Sequence, residues 1–343
     1  MKRLLPLLFL FSLLVVACSL PATIATSALT EIAGADDASP TPAFTQIAVS
    51  APALGYGAAA RGYINTLTEI GPRLAGTEQE ARAAEAIADL FAALGYPTET
   101  QPFTAIDDYG EAIDSLNVVA VKRGESAQEI IVGAHYDSAD EGLGADDNAS
   151  GVAVMLEAAG LIANVSTPYT VRFIAFGAEE AGLLGSYVYL NQMSQAEVED
   201  TVAMVNLDSL AAGDITYVYS DEDPQADLRD WTLGWASANG FGLQTIYDVD
   251  LSDGEGGGVS DYAAFREAGI PYIYFEATNW TLGDEDGYTQ VDYQYGEEGQ
   301  VWHTRYDTLD YLDATFPGRV DQHLDLFVQA LYAVLTQYEV SAQ

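Results

Sequence analysis

Side chains that can bind a metal ion occur in five short segments of this chain. They are His135 and Asp137, Asp146 and Asp147, Glu179 and Glu180, Asp208, and His303. Zinc takes imidazole nitrogen and carboxylate oxygen as ligands, and a catalytic zinc keeps one position open for water. Two zinc ions about 3.5 to 4 Å apart also need a carboxylate that bridges them. These residue types therefore predict a two-zinc hydrolase site.

The charges of such a site favour a bound hydroxide. Three carboxylates, two neutral imidazoles and two Zn²⁺ ions sum to about plus one, which a single hydroxide neutralises. Zinc lowers the pKa of its bound water to about 7. We therefore expect deprotonated water, the attacking group of a hydrolase, near neutral pH.

Three of the segments follow short apolar runs that are typical of buried strands. The runs are IIVGA (130–134), TVRFIAF (170–176) and VAMVNL (202–207). They lack polar alternation and lie between helix-like segments, as parallel strands covered on both faces do. In an open α/β sheet, sites form beyond the carboxyl ends of the strands. The strands are therefore predicted to bring the metal-binding side chains together.

The remaining segments predict one α/β domain over residues 54–343. Residues 60–94 have the pattern of two amphipathic helices, and 99–103 with 114–124 predict antiparallel edge strands. Residues 259–277 predict a helix and then a strand, and further helices close the fold. We expect a three-layer fold with a mixed, mostly parallel central sheet and helices on both faces.

The order and spacing of these motifs resemble one family, the co-catalytic two-zinc aminopeptidases. That family includes bacterial leucyl aminopeptidases and aminopeptidase Y, and glutamate carboxypeptidases and glutaminyl cyclases are its relatives. The likeness runs from GPRLAGTEQEARAAEAIADLFAALGY (71–96) to HTRYDTLDYLD (303–313). It implies a zinc-exopeptidase-like fold and hydrolysis of N-terminal residues from peptides. The attacking group would be a zinc-bridging water activated by a glutamate base.

The resemblance also implies which residues hold two zinc ions per chain. His135 and Asp208 resemble the terminal ligands of one zinc. Glu180 and His303 resemble those of the second zinc, and Asp147 resembles the bridge. No departure from the family's ligand pattern is visible.

Two further catalytic roles and one backbone feature follow from the same resemblance. Glu179 resembles the general base. Asp137 resembles the partner that orients the imidazole of His135. Relatives hold the peptide bond that corresponds to Asp147–Asn148 in the cis form, so we expect a cis bond there.

Some of these residues have simpler interpretations. Glu179 and Glu180 could cap the following helix, since acidic residues favour helix starts. His135 could be a hydrogen-bonded core histidine. Asp146 competes with Asp147 for the bridge, although the spacing to Ser150-Gly151 favours Asp147 and leaves Asp146 a cap or supporting role. His323, in a predicted amphipathic helix, is interpreted as a surface or packing residue.

The N-terminus predicts a lipoprotein. Residues 1–17 begin with the basic Lys2 and Arg3 and continue with an apolar core. A lipobox follows and ends at Cys18, the single cysteine. We expect a signal peptide over 1–17 and a lipid-anchored, flexible tether over 18–53, rich in Ala, Ser, Thr and Pro. The protein would be an extracytoplasmic, cell-surface lipoprotein bound to the membrane through Cys18. A secreted protein cleaved nearby is the alternative.

The composition is strongly acidic. Without Lys2 and Arg3 the chain has 10 basic and 52 acidic residues, a formal charge of −42. Nucleic acid is excluded as a partner class, because binding its phosphates needs a basic surface. A peptide substrate is compatible with this charge. The sequence does not determine the oligomeric state.

Specificity and two competing functions stay open at this level. Five aromatic residues are candidates to line a pocket for the N-terminal side chain: Tyr262, Phe265, Trp280, Tyr288 and Tyr295. Core packing is at least as good an interpretation of Phe265, and coverage of the sheet edge is an alternative for Tyr295. A glutaminyl cyclase-like acyltransferase would use one zinc and no attacking water. A non-catalytic surface lipoprotein would be expected to have lost ligands or the base, and none is lost.

Overall fold

A computed structural model describes residues 55–107, 109–221, 227–246, 259–283 and 287–340. The predicted signal peptide and tether, 1–17 and 18–53, lie outside these residues. Within the described ranges, no helix has both the length and the apolar character needed to cross a membrane.

The described residues form helices and strands that are mixed along the chain. The helices are α1 Ala58–Thr68, α2 Glu78–Ala93, α3 Ala149–Ile162, α4 Leu184–Gln192, α5 Gln195–Asp200, α6 Asp227–Ala238, α7 Tyr262–Glu267, α8 Leu309–Thr315 and α9 Arg319–Gln337. The strands are β1 Thr98–Ile106, β2 Ala112–Lys122, β3 Glu129–His135, β4 Thr170–Phe176, β5 Thr201–Leu207, β6 Ile215–Tyr219 and β7 Tyr272–Thr278. The two predicted N-terminal helices and the helix before β7 are present.

The strands form one seven-stranded sheet in the order β1-β2-β4-β3-β5-β7-β6. The four central strands, β4, β3, β5 and β7, run parallel. Strands β1, β2 and β6 pair antiparallel at the two sides. The predicted α/β fold with a mixed, mostly parallel sheet is confirmed. Of the two predicted edge strands, only β1 is at the edge, because β2 also pairs with β4.

Apolar side chains on both faces explain why the central strands lack alternation. Every residue of β3 and β7 is buried. One face packs against α1, α2, α3 and α9, and the other against α4 and α7. Gly133 of β3 allows close packing, because a Cβ atom there would lie 2.4 Å from the Phe176 ring. The result is the three-layer arrangement that two-sided burial requires.

Helix α3 connects this core to the loops at the carboxyl edge. Twelve of its 14 residues are buried, so it has no solvent face. Its N-cap is Asn148, whose side-chain oxygen accepts a hydrogen bond from the N–H of Gly151. The Asn148 amide donates to the carbonyl of Leu207 at the end of β5. The start of α3 is therefore fixed to the sheet edge.

His323 on α9 gives the fold a testable pH dependence. Its Nδ1 is buried without a hydrogen-bond partner, and its ring packs edge-on against Phe327. Burial and the charge of Arg319 lower the pKa of His323 to about 4. The neutral form is therefore favoured in the folded state. The stability contributed by this group is present above the unfolded pKa of about 6.5 and is lost as the pH falls.

We expect His323 to lower the free energy of unfolding by about 2 kcal/mol between pH 7 and pH 5. The measurement is chemical denaturation of the unaltered chain and of His323→Gln at both pH values, with a chelator present throughout. The variant should lose less stability than the unaltered chain over this interval. Equal losses in the two proteins would contradict the interpretation.

Candidate metal centre

Six of the predicted side chains meet at the carboxyl edge of the parallel strands. They are His135 at the end of β3, Asp147 between β3 and α3, Glu179 and Glu180 after β4, Asp208 after β5, and His303 between β7 and α8. Three of the corresponding strands are neighbours in the sheet. Convergence at this edge follows the general rule for parallel α/β sheets.

The first group of donor atoms surrounds His135. Its Nε2 lies 3.1 Å from Oδ1 of Asp147 and 3.4 Å from Oδ1 of Asp208. Oε2 of Glu179 is 4.0 Å from the same nitrogen. Donor atoms of His135, Glu179 and Asp208 all lie within 4.8 Å of one another. One cation could contact this group.

The second group surrounds His303. Its Nε2 lies 3.0 Å from Oδ2 of Asp147 and 3.0 Å from Oε2 of Glu180. The two carboxylate oxygens of Asp147 thus face different imidazoles, Oδ1 toward His135 and Oδ2 toward His303. The His303 side chain is 52% exposed, so this side of the centre opens to solvent. Asp147 has the geometry of a bridge between two cations.

The chemistry of these residues fits bound cations. His135 and Asp147 are buried, and Oε1 of Glu180 is buried without a hydrogen-bond partner. Burial raises the pKa of Glu179 well above its usual value, and the nearby carboxylates of Asp261, Glu180 and Asp208 raise it further. Clustered buried carboxylates are costly unless paired or bound to metal. Mixed imidazole and carboxylate donors are those that zinc accepts.

Asp137 supports the centre through the backbone of its neighbours. Its Oδ1 accepts a hydrogen bond of 3.1 Å from the N–H of Glu179, and its Oδ2 accepts one of 3.0 Å from the N–H of Glu180. Oδ1 also lies 3.4 Å from Nδ1 of His135, which is long for a hydrogen bond. The shortest contacts of Asp137 therefore hold the backbone of Glu179 and Glu180. The resemblance also implies that Asp137 orients the imidazole of His135.

The geometry does not fit the helix-cap interpretation of Glu179 and Glu180, and it agrees with a supporting role for Asp146. Helix α4 begins at Leu184 and has no side-chain cap, so neither Glu179 nor Glu180 caps it. Both carboxylate oxygens of Asp146 bind residues outside the two donor groups. They accept hydrogen bonds from the N–H groups of Ala211 and Ala212 at 2.6 and 2.9 Å, and one from the Gln290 amide at 2.7 Å. Burial raises the pKa of Asp146 to about 7.

The backbone around Asp147 is held by a residue that the sequence analysis missed. Asp307 accepts hydrogen bonds from the N–H groups of Asp146 and Asp147 at 2.6 and 3.1 Å. The Asp147–Asn148 bond is cis, as the resemblance implies. Asp307 lies four residues after His303 in HTRYDT, and this proximity to a candidate ligand is the signal that could have identified it.

Asp208 is held by another missed pair. The Ser260 hydroxyl donates to Oδ2 of Asp208 at 2.7 Å, and the Asn206 amide donates to the same hydroxyl at 2.9 Å. These bonds leave Oδ1 of Asp208 facing His135. Ser260 is 52 residues away in sequence, so no local pattern connects it to Asp208.

The aromatic candidates for a specificity pocket separate into two sets. Tyr262 and Phe265 are fully buried in the core between the sheet and α4. This corrects the prediction of Tyr262 as a pocket residue and agrees with the core-packing interpretation of Phe265. Trp280 donates a hydrogen bond to Tyr219, and Tyr295 packs against Phe316. Tyr288 is 42% exposed and lies edge-on to Trp302, the residue before His303. Of the five candidates for a specificity pocket, Tyr288 is therefore the one that is exposed and contacts a neighbour of His303.

Comparison with known proteins identifies relatives. Residues 117–328 match the model of Peptidase family M28. The chain is 34% identical to the alkaline phosphatase isozyme conversion protein of Escherichia coli over 279 residues, 73% of this chain and 81% of that protein. It is 32% identical to aminopeptidase YwaD of Bacillus subtilis, over 64% of this chain. It is 30% identical to the probable lipoprotein aminopeptidase LpqL of Mycobacterium tuberculosis, over 61% of this chain.

The alignments cover 44% of the length of both aminopeptidases, so the chain spans less than half of each. Among solved structures, a zinc aminopeptidase from Bacillus subtilis aligns with a TM-score of 0.66 and 22% identity, over 84% of this chain and 97% of that one. A glutaminyl cyclase from Porphyromonas gingivalis aligns with a TM-score of 0.65 and 20% identity, over 83% and 99%. At 22% and 20% sequence identity, these two structural alignments show a shared fold only.

The geometry of Asp147 generates a metal-binding prediction. We expect Asp147→Asn to weaken the binding of both ions, because one oxygen faces each donor group. Asp208→Asn and Glu180→Gln should each weaken chiefly one ion. The measurement is metal content after equilibrium dialysis, with cobalt as a spectroscopic substitute for zinc. Two tightly bound ions in Asp147→Asn would rule out the bridge and make Asp146 the next residue to test.

Proposed function

Because the chain belongs to peptidase family M28, a family of metal-dependent peptidases, we propose that it is a two-zinc aminopeptidase. It would remove N-terminal residues from peptides. One observation carries the proposal. Each carboxylate oxygen of Asp147 faces a different donor group, one around His135 and one around His303, and the carboxylate of Glu179 lies beside the first group. The aminopeptidase names of two relatives support it.

In this proposal five side chains hold the zinc ions. His135 and Asp208 would hold one ion, Glu180 and His303 would hold the other, and Asp147 would contribute one oxygen to each group. When bound, the ions would polarise the scissile carbonyl and lower the pKa of a water molecule. Two separate clusters of donor side chains, one around His135 and one around His303, support two ions rather than one.

Glu179 is the proposed general base. Its Oε2 lies 4.0 Å from Nε2 of His135, so its carboxylate adjoins the first donor group. It would take a proton from a water molecule and return it to the leaving amine. Asp137 would fix the loop, since it accepts the N–H groups of both Glu179 and Glu180. A base held in this way needs little rearrangement during the reaction.

The function is tested with the soluble chain that begins at Ser19. We expect it to release aminoacyl reporter groups, to lose activity with a chelator and to regain activity with added Zn²⁺. Glu179→Gln should keep both metals while kcat falls by about 10² to 10⁴, because only proton transfer is removed. The paired measurements are metal content and steady-state kinetics.

Several outcomes would redirect this proposal. Near-normal turnover by Glu179→Gln would remove Glu179 from the mechanism. A single bound zinc, with ammonia released from peptides that begin with glutamine, would support a glutaminyl cyclase-like acyltransferase instead. Two bound metals with no activity on any reporter would support a binding protein on a peptidase scaffold.

We propose that the protein is a lipoprotein anchored through Cys18. The lipobox before Cys18 supports this location, and so does the name of the LpqL relative. Acyl chains would bind the membrane by burying methylene groups, each contributing about 0.8 kcal/mol. Residues 18–53 would then separate an acidic enzyme from anionic head groups, which repel it.

We expect Cys18→Ser to prevent lipidation and to leave hydrolysis by the soluble domain unchanged. Fractionation of cells that express each form, followed by mass analysis of the N-terminus, checks the prediction. The unaltered chain should fractionate with membranes and carry lipid on Cys18. Its recovery wholly in the medium, without lipid, would refute the anchor and leave the proposed enzyme unaffected.

A further inference from the structure

A fully buried arginine lies next to the proposed metal centre. Arg73 is in the loop between α1 and α2 and is 0% exposed. Its guanidinium donates three hydrogen bonds to backbone carbonyls: Nε to Tyr136 at 2.7 Å, Nη1 to Leu143 at 2.7 Å and Nη2 to Gly144 at 2.9 Å. All three acceptors belong to the loop that joins β3 to α3.

The three carbonyls lie close in sequence to candidate ligands. Tyr136 directly follows His135, and Gly144 is three residues before Asp147. The guanidinium therefore joins the two ends of one loop, and each end carries a ligand. A second link is made by the backbone, because the Arg73 N–H donates to the Ser138 hydroxyl at 2.9 Å and the Ser138 N–H donates to the Arg73 carbonyl at 3.2 Å.

The fit around the guanidinium is close. Gly144 has a φ of +58°, and a Cβ atom there would lie 2.7 Å from Nη2 of Arg73. A flat fork with fixed donor directions can satisfy three carbonyls at once, whereas an ammonium group is a single point of charge. Without the fork, these three carbonyls would lose their hydrogen-bond partner, and an unpaired buried carbonyl destabilises the loop that carries it.

Charge alone does not explain this residue. The guanidinium feels the carboxylates of Asp307, Asp137, Asp147 and Glu180, which partly offset the effect of its burial on its pKa. The same positive charge would repel the bound cations. Attraction to the carboxylates and repulsion of the metals therefore oppose each other. The three hydrogen bonds have no such opposing effect, because they only hold the loop in place.

We propose that Arg73 is a positioning residue of the metal centre. Its guanidinium fork fixes the β3–α3 loop so that His135 and Asp147 present their donor atoms at the observed spacing. The inference rests on the proposed metal-binding function. Arg73 lies before the segment that matches the family model, residues 117–328, so the loop before α2 would be part of the centre.

The test compares two substitutions of Arg73 with a matched control. Arg73→Lys keeps the charge and removes the fork, and Arg73→Met removes both. The control is Arg172→Met, since Arg172 makes a two-bond ion pair with Glu129 at 2.9 and 3.0 Å. Glu129 begins β3 and His135 ends it, so the control pair is roughly 20 Å from the centre at about 3.3 Å per residue.

We expect both Arg73 variants to bind Zn²⁺ and Co²⁺ at least about tenfold more weakly, equivalent to about 1.4 kcal/mol. The absorption spectrum of the Co²⁺-loaded chain should also change, because it reports the ligand geometry. The control should match the unaltered chain in affinity and spectrum. Melting temperatures of the metal-free proteins separate this effect from a general loss of stability.

Three results would overturn the inference. The first is unchanged affinity and spectrum in a folded Arg73 variant. The second is a normal Arg73→Lys beside a defective Arg73→Met, which would attribute the effect to charge. The third is failure of both variants to fold while Arg172→Met folds, which would make the role purely structural. If the unaltered chain binds no metal, the proposed function itself fails, and the inference fails with it.

Discussion

Burial of many carboxylates at one edge of the sheet is the constraint on which the rest of this structure depends. An ionised carboxylate that leaves water needs hydrogen bonds, an opposite charge or a metal. Four outer carboxylates satisfy this need with two backbone N–H groups each. Asp137 binds Glu179 and Glu180, Asp146 binds Ala211 and Ala212, Asp307 binds Asp146 and Asp147, and Glu80 binds Gly76 and Ala178. Each pair fixes a loop beside the candidate centre.

The inner carboxylates differ from the outer ones because they face imidazoles and one another. Among the described contacts, Asp147 is approached by His135 and His303, and Glu180 by His303. The outer carboxylates thus use the available N–H groups to hold the loops, and the inner carboxylates remain directed at the space between the imidazoles. This division explains how a sequence with so many acidic residues can form an ordered centre. It also explains why the centre favours cations.

The sequence predicted the candidate site best where a metal-binding residue lies at or just after the end of a strand. Uninterrupted apolar runs identified β3, β4 and β5, and the side chains after them are the ones that meet. The position of Asp307 near His303 could single out that residue, but no local pattern could reveal its bond to Asp147, 160 positions away, or the bond between Ser260 and Asp208, because those contacts exist only after the sheet forms. The antiparallel strand β6 was also missed, since five residues give too short a pattern. Tyr262 was misjudged because a buried and a pocket-lining aromatic have the same sequence signal, whereas the core-packing interpretation of Phe265 agrees with its burial.

The few basic residues are used in ways that leave the surface negative. Arg61 pairs with Asp313 and Asp321, and Arg266 and Arg319 pair with Asp221 and Asp214. Arg73 and Lys122 are buried. With so many acidic side chains left over, the surface potential attracts cations and raises their local concentration. A peptide presents its positively charged α-amine to such a surface, whereas an anionic membrane is repelled. In the proposed lipoprotein aminopeptidase, the same charge would favour approach of a free N-terminus and would favour a long spacer between the domain and its anchor.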